Sequence, residues 1–448
     1  GGDVAGADGA SVAIRGVSTD TRSIRAGNLF VPLIGERFNG HAYAAHALDA
    51  GAAAALWQAD QGEPPAGPVV VVDDTLAALQ RLAAAYRRSL DVRIVGITGS
   101  NGKTSTKDMT AAALGTAYSV HKTQGNLNNH IGLPLTLLAL EPGTAFAVLE
   151  MGMSGRGEIE LLTRIAAPDA VVITNIGDAH LLQLGSRDEI AKAKLEILAG
   201  LAEGGTFIVP GDEPLVDRYL PEAAGPASYR LVRFGASARC DVRLEDVAVT
   251  PRDTSFRVAG SDVRFTIPML GRHNASNATA AIAVARAFGV PDERIAEGLR
   301  SFAPTGMRIE RVEGKRGTTL WNDAYNASPT SMRAALALLA ETTGFRRKFA
   351  VLGDMLELGS EERELHRGVG RALAPDNVDF VYTFGALGRD IAEAASPRFP
   401  AGRVRAFDDK DALADALERA AEPGDLILVK ASRGMKMETI IERMREAP

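Results

Sequence analysis

The sequence predicts an α/β protein of three domains. Its 448 residues exceed what one hydrophobic core normally holds, because domains average about 150 residues. Apolar runs typical of strands alternate with helical stretches, which is the signature of parallel sheets with crossover helices. One such run leads into a glycine-rich turn and then a helix, as in a phosphate-binding loop. We therefore expect a small N-terminal α/β domain, a central P-loop domain with a parallel sheet, and a C-terminal Rossmann-like domain.

The expected domain boundaries follow from changes in this pattern. Residues 1–90 alternate short strands and turns and close with an alanine-rich helix from about Thr75 to Leu90. Residues 91–305 carry the alternation of strands and helices, and the string Pro304-Thr305-Gly306 is typical of a linker. Residues 306–448 then resume the alternation as a third domain.

The composition limits the classes of partner. The net charge is −6 and no basic tract is longer than Arg346-Arg347-Lys348, so we expect no nucleic-acid partner. No apolar run approaches the roughly 18 residues of a membrane span, so we expect no membrane partner. A single cysteine, Cys240, excludes an internal disulfide framework and fits a cytoplasmic protein.

Residues 94–104 form the glycine-rich turn. In a phosphate-binding loop, Gly99 and Gly102 would permit close approach of the backbone, Lys103 would contact the terminal phosphates, and Thr104 would ligate Mg²⁺. The usual loop carries a glycine five residues before the last one, and here that position is Ile97, so the loop is a shortened variant. A plain structural turn is the alternative.

Two candidate metal-binding positions follow predicted strands. Glu150 comes directly after Phe146 to Leu149, where a carboxylate could hold Mg²⁺ beside the loop. Its alternative is a solvated glutamate at a strand end. His180 follows the apolar run that ends at Ile176, but a lone histidine is a weak signal.

Lys194 lies on a predicted helix that begins with the capping sequence Ser186 to Glu189 and continues to about Leu201. Helical periodicity puts Lys194 inside the apolar stripe, whereas Lys192 and Glu196 face water. The lysine either extends its amine to the surface or has its pKa lowered by burial. A neutral amine reacts with CO₂, and the resulting carbamate could bind a second Mg²⁺ beside His180.

Six groups of residues follow one another in an order that spans most of the chain. They are Thr98 to Thr104, Glu150, Asn175 to His180, Lys194, Gly271 to Asn277 and Asp323 to Pro329. This set resembles the Mur ligases, which use ATP to form the amide bonds of the peptidoglycan peptide. The resemblance implies that the central P-loop domain is an ATPase domain.

Further stretches resemble one activity within that family, the ligation of D-alanyl-D-alanine to UDP-N-acetylmuramoyl-tripeptide. They are Thr123 to Pro134, Leu352 to Gly359 and Val429 to Glu438. The Asp-Asn-Pro-Arg string expected of the ligase that adds the third residue is absent from the sequence. The segment from Ser18 to His41 resembles the part that holds the uridine nucleotide sugar.

The resemblance implies a substrate carboxylate that attacks the γ-phosphate of ATP, and an acyl phosphate that the amine of D-alanyl-D-alanine then attacks. It also implies a monomer. The implied catalytic residues are Lys103, His180 and Lys194. Thr104 and Glu150 would hold one Mg²⁺, and His180 with carbamylated Lys194 would hold a second.

The resemblance also assigns the binding residues. Those expected to bind ATP are Thr98, Gly99, Ser100, Asn101, Gly102, Lys103, Thr104, Ser105, His273, Asn274, Arg308, Asp323, Tyr325 and Asn326. Those expected to bind the other substrates are Ser18, Thr19, Asp20, Thr21, Arg22, Asn39, Gly40, His41, Asn126, Asn128, Asn129, Lys430, Ser432 and Arg433. For Asn274 a helix cap is the alternative, and for Lys430, Ser432 and Arg433 it is surface charge.

Two other functions are compatible with parts of the pattern. Folylpolyglutamate synthase also joins an amino acid to a carboxylate, but it gives no reason for the segment from Ser18 to His41. A nucleotide-dependent switch would use the loop without ligation, but it would not require Glu150, His180 and a buried Lys194 together.

Overall fold

The computed structural model describes residues 3–5 and 12–446, and three sheets organise them. The N-terminal sheet has the order β1-β5-β4-β3-β2, with β1 antiparallel to β5 and the other pairs parallel. Its strands are β1 Asp3–Ala5, β2 Val17–Ser18, β3 Leu29–Phe30, β4 Ala54–Gln58 and β5 Val69–Val72. Its helices are α1 Ala44–Asp49 and α2 Thr75–Arg88.

The second sheet has nine strands and follows in residues 93–267. Its strands are β6 Arg93–Thr98, β7 Val120–Lys122, β8 Phe146–Glu150, β9 Ala170–Ile173, β10 Thr206–Pro210, β11 Arg230–Gly235, β12 Val242–Val249, β13 Thr254–Val258 and β14 Arg264–Ile267. Strands β6 to β12 pair in parallel in the order β12-β11-β10-β9-β6-β8-β7, and β13 and β14 extend the sheet antiparallel beyond β12.

Helices cover both faces of this second sheet. They are α3 Lys103–Gly115, α4 Gly132–Leu138, α5 Glu158–Ala166, α6 Leu181–Leu184, α7 Arg187–Leu195, α8 Pro214–Tyr219, α9 Arg272–Ala287 and α10 Asp292–Ser301. Successive strand residues point to opposite faces, so Val148 packs in the core that includes α3 and α9, while Leu149 packs in the core that includes α5 and α7. Burial on both faces explains why these strands read as continuous apolar runs.

The third sheet has the order β15-β16-β20-β17-β18-β19, and only its edge strand β15 is antiparallel. The strands are β15 Glu310–Gly314, β16 Thr318–Asp323, β17 Lys348–Gly353, β18 Phe380–Phe384, β19 Val404–Phe407 and β20 Leu426–Lys430. The helices are α11 Pro329–Glu341, α12 Glu362–Ala372, α13 Gly388–Ala395, α14 Lys410–Ala420 and α15 Glu438–Met444. The predicted α/β fold with three domains is confirmed.

The helix that carries Lys194 is shorter than expected. α7 ends at Leu195, and a 3₁₀ turn over Glu196–Gly200 replaces the predicted continuation to Leu201. Close packing on α5 explains the change: the Thr163 hydroxyl donates to the carbonyl of Ile197 (2.8 Å), and a Cβ on Gly200 would lie 2.2 Å from the Thr163 carbonyl oxygen.

Glu196 does not face water, in contrast to the prediction. Its side chain is 11% exposed and accepts hydrogen bonds from Arg156 Nε (2.7 Å) and from the backbone N–H of Gly157 (2.9 Å) at the start of α5. The predicted cap is present in part, because Ser186 accepts from the N–H of Glu189 (3.2 Å). Among the helices within residues 12–446, none is both long and apolar enough to cross a membrane.

Candidate active site

The turn between β6 and α3 places two glycines where no side chain fits. Gly99 has φ +152° and Gly102 has φ +79°. A Cβ on Gly99 would lie 1.8 Å from Oγ1 of Thr174, and one on Gly102 would lie 2.5 Å from Oδ1 of Asn277. Both positions require glycine, because the backbone is left-handed and neighbouring side chains lie directly against it.

The segment after β9 holds this turn in place. The N–H of Asn101 donates to Oδ1 of Asn175 (3.0 Å), and the Asn101 carbonyl accepts from Oγ1 of Thr174 (2.6 Å) and Nδ2 of Asn175 (2.9 Å). The N–H of Gly177 donates to Oγ of Ser100 (2.9 Å). The conformation of the turn is therefore fixed by contacts far away in sequence.

We expect Gly99→Ala to weaken ATP binding by about 100-fold, because the added Cβ must displace either Thr174 or the turn by about 1 Å. Titration calorimetry with ATP measures the change. Gly115→Ala is the matched control, because Gly115 is the last residue of α3 and an added Cβ would meet no atom within 4 Å. This variant should bind ATP as the wild type does. Equal ATP affinity of the wild type and Gly99→Ala would contradict this account of the turn.

Thr104, at the start of α3, forms hydrogen bonds with two other side chains. Its hydroxyl donates to Oε2 of Glu150 (2.9 Å) and accepts from Nη2 of Arg308 (2.9 Å). The second carboxylate oxygen of Glu150 accepts from Nδ2 of Asn128 (2.8 Å). Glu150 is 3% exposed, so the alternative of a solvated glutamate is wrong.

Lys103 folds back over the turn. Its Nζ donates to the carbonyl of Gly99 (2.8 Å). Burial lowers the pKa of Lys103, the charge of Glu150 opposes that shift, and the charge of Arg308 adds to it. Two cationic side chains from different domains therefore approach the same turn.

His180 and Lys194 lie close enough to Lys103 for their charges to interact. Burial, with the charges of Lys103 and Lys194, lowers the pKa of His180 to about 4. Lys194 is 1% exposed, and burial first and the charge of Lys103 second hold its pKa well below the usual value. Within the described residues its amine has no hydrogen bond or ion pair, so it does not extend to a surface partner.

His273 lies in the first turn of α9, which follows Gly271. Burial lowers the pKa of His273 to about 4. Asn274 does not cap this helix, in contrast to the alternative raised for it, because the N-cap is Gly271 and Nδ2 of Asn274 donates to the carbonyl of Leu270 (2.8 Å).

The shift at His273 predicts a loss of stability in acid. An unfolded histidine binds a proton near pH 6.5 and the folded one near pH 4, so the unfolded state gains protons first as the pH falls through that window. Between pH 7 and pH 5 we expect His273 to contribute a loss of about 2 kcal/mol in the free energy of unfolding. Urea titrations of the wild type and His273→Asn at both pH values measure it, and equal pH dependence in the two proteins would contradict it.

The third domain brings a buried ion pair to the same region. Nζ of Lys430 lies 2.6 Å from Oδ2 of Asp323 and donates to the carbonyl of Asn326 (3.0 Å). Lys430 is 3% exposed, so surface charge is the wrong account of it, although Arg433 has an exposed side chain paired with Glu438 (3.1 Å). This pairing leaves neither Asp323 nor Lys430 free in the structure.

Other contacts join the third domain to the second. Ser328 Oγ donates to Oδ1 of Asn101 (3.2 Å). Within the third domain, the Arg308 guanidinium that reaches Thr104 also lies 4.3 Å from the ring centre of Tyr325. Thr330 donates to Oδ2 of Asp178 (2.8 Å). Ser328 also forms a capping box with Ser331 at the start of α11, so this contact is built on a well-fixed helix end.

A cavity of about 750 Å³ lies where these groups meet. Most of the predicted nucleotide and metal residues line it, together with the predicted substrate residues of the second and third domains. They are Ser100, Asn101, Gly102, Lys103, Thr104, Ser105, Asn126, Asn128, Asn129, Glu150, His180, His273, Asn274, Arg308, Asp323, Tyr325, Asn326, Lys430, Ser432 and Arg433. Thr98, Gly99 and Lys194 do not line the cavity.

Three family models match successive parts of the chain. Family models described as the Mur ligase family catalytic domain, the Mur ligase middle domain and the Mur ligase glutamate ligase domain match residues 13–87, 97–285 and 307–433. The UDP-N-acetylmuramoyl-tripeptide–D-alanyl-D-alanine ligase of Bacillus subtilis (strain 168) is 50% identical over 436 residues, which cover 97% of this chain and 94% of the relative.

The chain belongs to the Mur ligase family. Among solved structures, MurF from Acinetobacter baumannii is 32% identical with a TM-score of 0.87, over 96% of this chain and 93% of the other. MurF from Thermotoga maritima in complex with ADP is 30% identical with a TM-score of 0.83, over 96% of each chain. The family predicted from the sequence is confirmed.

The first domain of this Mur ligase keeps its predicted substrate residues apart from the cavity. Ser18, Thr19, Asp20, Thr21, Arg22, Asn39, Gly40 and His41 all lie outside the cavity lining. Asp20 pairs with Arg22 (2.6 Å). His41 is 5% exposed, and its ring nitrogens contact Oδ1 of Asn39 (2.9 Å) and the N–H of Gln58 (3.1 Å), so both are engaged within the domain.

Several cavity residues of this Mur ligase were not assigned to a ligand from the sequence, although Asn175, Asn277 and Glu357 lie in stretches that carry the resemblance. Asn277 lies one turn after Asn274 on α9 and contacts it through Nδ2 (3.3 Å), so the three-residue spacing could have indicated it. Thr174 and Asn175 follow a buried strand, the same signal that identified Glu150. Glu357 has no such strand-end or helical spacing; it lies in the stretch Leu352 to Gly359, which was recognised as a whole without a role for this residue.

Proposed function

We propose that this chain uses ATP to ligate D-alanyl-D-alanine to UDP-N-acetylmuramoyl-tripeptide through an acyl phosphate. The observation that carries the proposal is the hydrogen bond from Arg308 of the third domain to Thr104 of the phosphate-binding turn, inside a cavity that also contains Lys103 and Glu150. The similarity to the Bacillus subtilis ligase supports the choice of substrates.

The chemistry of the proposed reaction requires positive charge at this place. A substrate carboxylate must approach a triphosphate, and both are anions. Lys103 and Arg308 reduce that repulsion and stabilise the charge of the phosphoryl group during transfer. Because residues of two domains line the cavity, closure of the domains on the substrates would keep water from the acyl phosphate before the amine attacks it.

The donor atoms near the turn suit Mg²⁺, which prefers oxygen ligands and keeps several waters. Thr104 and Glu150 would hold a first ion, whose chemistry when bound is to neutralise charge on the phosphates. His180 would help hold a second ion, since its Nδ1 is buried without a hydrogen bond. Among the described residues no three His, Cys, Asp or Glu side chains form a metal cluster, so protein ligands alone do not complete either site.

Lys194 would complete the second site as a carbamate. The neutral amine forms an N–C bond to CO₂ and releases one proton, which turns a buried cation into an anion. The lowered pKa of Lys194 favours the neutral amine that this reaction requires. The positive charge of Lys103 repels a protonated Lys194, and no partner within the described residues offsets that repulsion. A negatively charged carbamate on Lys194 would turn the repulsion into attraction.

The binding assignments made from the sequence are retained in this proposal. The predicted ATP residues that line the cavity bind the nucleotide, while Thr98 and Gly99 shape the turn from behind. The predicted residues of the first domain bind the uridine nucleotide, and the remaining substrate residues bind the peptide substrates: Asn126, Asn128, Asn129, Lys430, Ser432 and Arg433. The domain boundaries lie near residues 90 and 305. The enzyme acts as a cytoplasmic monomer without nucleic-acid or membrane partners.

Phosphate release from ATP tests the function. With UDP-N-acetylmuramoyl-tripeptide present, we expect turnover to require D-alanyl-D-alanine, with D-alanine and glutamate as control acceptors. Equal turnover with either control acceptor and none with the dipeptide would overturn the substrate assignment. Phosphate release that needs no amine would instead indicate a nucleotide-dependent switch.

A further inference from the structure

The loop Asp354–Gly359 reaches the cavity from the third domain, directly after β17. Its residues Leu356, Glu357 and Leu358 line the cavity. The backbone carbonyl of Glu357 accepts from the N–H of Leu182 in the second domain (3.1 Å). The loop therefore forms part of the cavity wall, and none of its residues has a role in the proposed phosphoryl transfer.

Hydrogen bonds hold this loop in one conformation. The N–H of Met355 donates to Nε2 of the fully buried His366 (2.8 Å), and the N–H of Leu356 donates to Oγ of Ser432 (2.9 Å). Glu357 itself has φ +63°, a left-handed conformation that is uncommon for a residue other than glycine. Such a conformation persists where surrounding contacts impose it, and these residues cluster at functional sites.

Four carboxylates line the cavity, and three of them are already engaged. Glu150 accepts from Thr104 and Asn128. Asp323 is paired with Lys430.

Glu158 accepts through both oxygens from the backbone N–H groups of Ser154 (3.0 Å) and Gly155 (3.1 Å), at the start of α5. It thus satisfies backbone donors near a helix N-terminus, where a carboxylate is stabilised by the helix. Each of these three carboxylates therefore already has partners, and Glu150 is assigned to the first Mg²⁺ ion.

Glu357 is the remaining carboxylate of the cavity. Its side chain is 56% exposed, and no Lys or Arg of the described residues pairs with it. Its nearest basic atom is Nδ1 of His180 at 3.3 Å, and that contact does not satisfy the geometry of a hydrogen bond. A carboxylate held on a fixed loop, facing a cavity and lacking a cation, is suited to a positively charged ligand.

We propose that Glu357 binds the ammonium group of the D-alanyl-D-alanine acceptor and positions it. The ammonium group then loses one proton to solvent, and the neutral amine attacks the acyl phosphate and displaces phosphate. This inference rests on the proposed function, in which the acceptor must bring its own amino group to the acyl phosphate. A carboxylate that lines the same cavity as Lys103 and Arg308 offsets their repulsion of an ammonium group and can hold that group in the site.

Steady-state kinetics of Glu357→Gln tests the inference, because this change removes the charge and keeps the length. With ATP and tripeptide saturating, we expect the KM for D-alanyl-D-alanine to rise about tenfold or more, with the KM for ATP and the Mg²⁺ requirement unchanged. Glu357→Asp should retain part of the affinity. Glu361→Gln is the matched control, since Glu361 is exposed, lies four residues further on and does not line the cavity.

A second acceptor separates amine binding from the earlier steps. Hydroxylamine is a small, neutral nucleophile that traps an acyl phosphate, so Glu357→Gln should support wild-type phosphate release with it. An unchanged KM for the dipeptide in Glu357→Gln would overturn the inference. So would a raised Mg²⁺ requirement in place of the KM change, because it would assign Glu357 to the orientation of His180. A wild-type enzyme that does not respond to the dipeptide would overturn the proposed function itself.

Discussion

Lys103→Ala is expected to lower kcat/KM for ATP by about 10³-fold. Its Nζ lies 2.8 Å from the Gly99 carbonyl at the turn, and the other lysine that lines the cavity among the described residues, Lys430, is paired with Asp323. Removing it leaves the negative charge of the phosphoryl group without its nearest cation during transfer. Phosphate release under saturating tripeptide and D-alanyl-D-alanine measures the loss.

Two further variants make this result specific. Lys103→Arg should restore little activity, because a planar guanidinium does not fit the space of a compact ammonium. Lys315→Ala removes an exposed lysine that pairs with Glu418 (3.4 Å), and it should leave kcat/KM unchanged. If Lys103→Ala kept a third or more of the wild-type kcat/KM with a normal melting temperature, Lys103 would have no place in phosphoryl transfer.

Lys194→Ala is expected to lower kcat by about 100-fold and to regain activity when short carboxylates such as formate or acetate are added. The substitution removes the proposed carbamate together with a side chain that is 1% exposed and whose charge acts on His180. A small carboxylate that takes the place of the deleted side chain would supply the missing negative charge. Activity as a function of acetate concentration measures the rescue.

Lys192→Ala provides the control for this second experiment. Lys192 lies on the same helix, two residues earlier, and pairs at the surface with Glu189 (2.7 Å). Its removal should leave kcat unchanged with or without acetate. Full activity of Lys194→Ala in the absence of carboxylates would exclude a carbamate at this position, and ¹³C NMR of the wild type in labelled bicarbonate observes the carbamate directly.

Features that depend on short-range pattern could be predicted from the sequence. The turn around Gly99, the carboxylate at Glu150 and the burial of Lys194 each depend on a local alternation of apolar and polar residues. The shortened turn required no knowledge of distant contacts, because a strand, two glycines and a helix start already define it. The resemblance to the Mur ligases then ordered these separate signals along one chain.

Features that depend on packing between distant segments could not be predicted. Arg308 contacts Thr104 across two domains, and α7 ends at Leu195 because its continuation packs tightly on α5. Glu196 appeared solvated from its helical angle, but the start of α5 supplies its donors. In each case the deciding partner lies tens to hundreds of residues away, where periodicity carries no information.

The fit of Gly99 against Thr174 and of Gly102 against Asn277 also limits how this site can evolve under selection by an inhibitor. A compound that binds the backbone of the turn contacts atoms that no single substitution can shield, since any side chain at Gly99 collides first with Thr174. Escape would require simultaneous changes on two segments, and the first change alone would weaken nucleotide binding. Resistance should therefore arise at the exposed Arg433 side of the cavity before it arises at the turn.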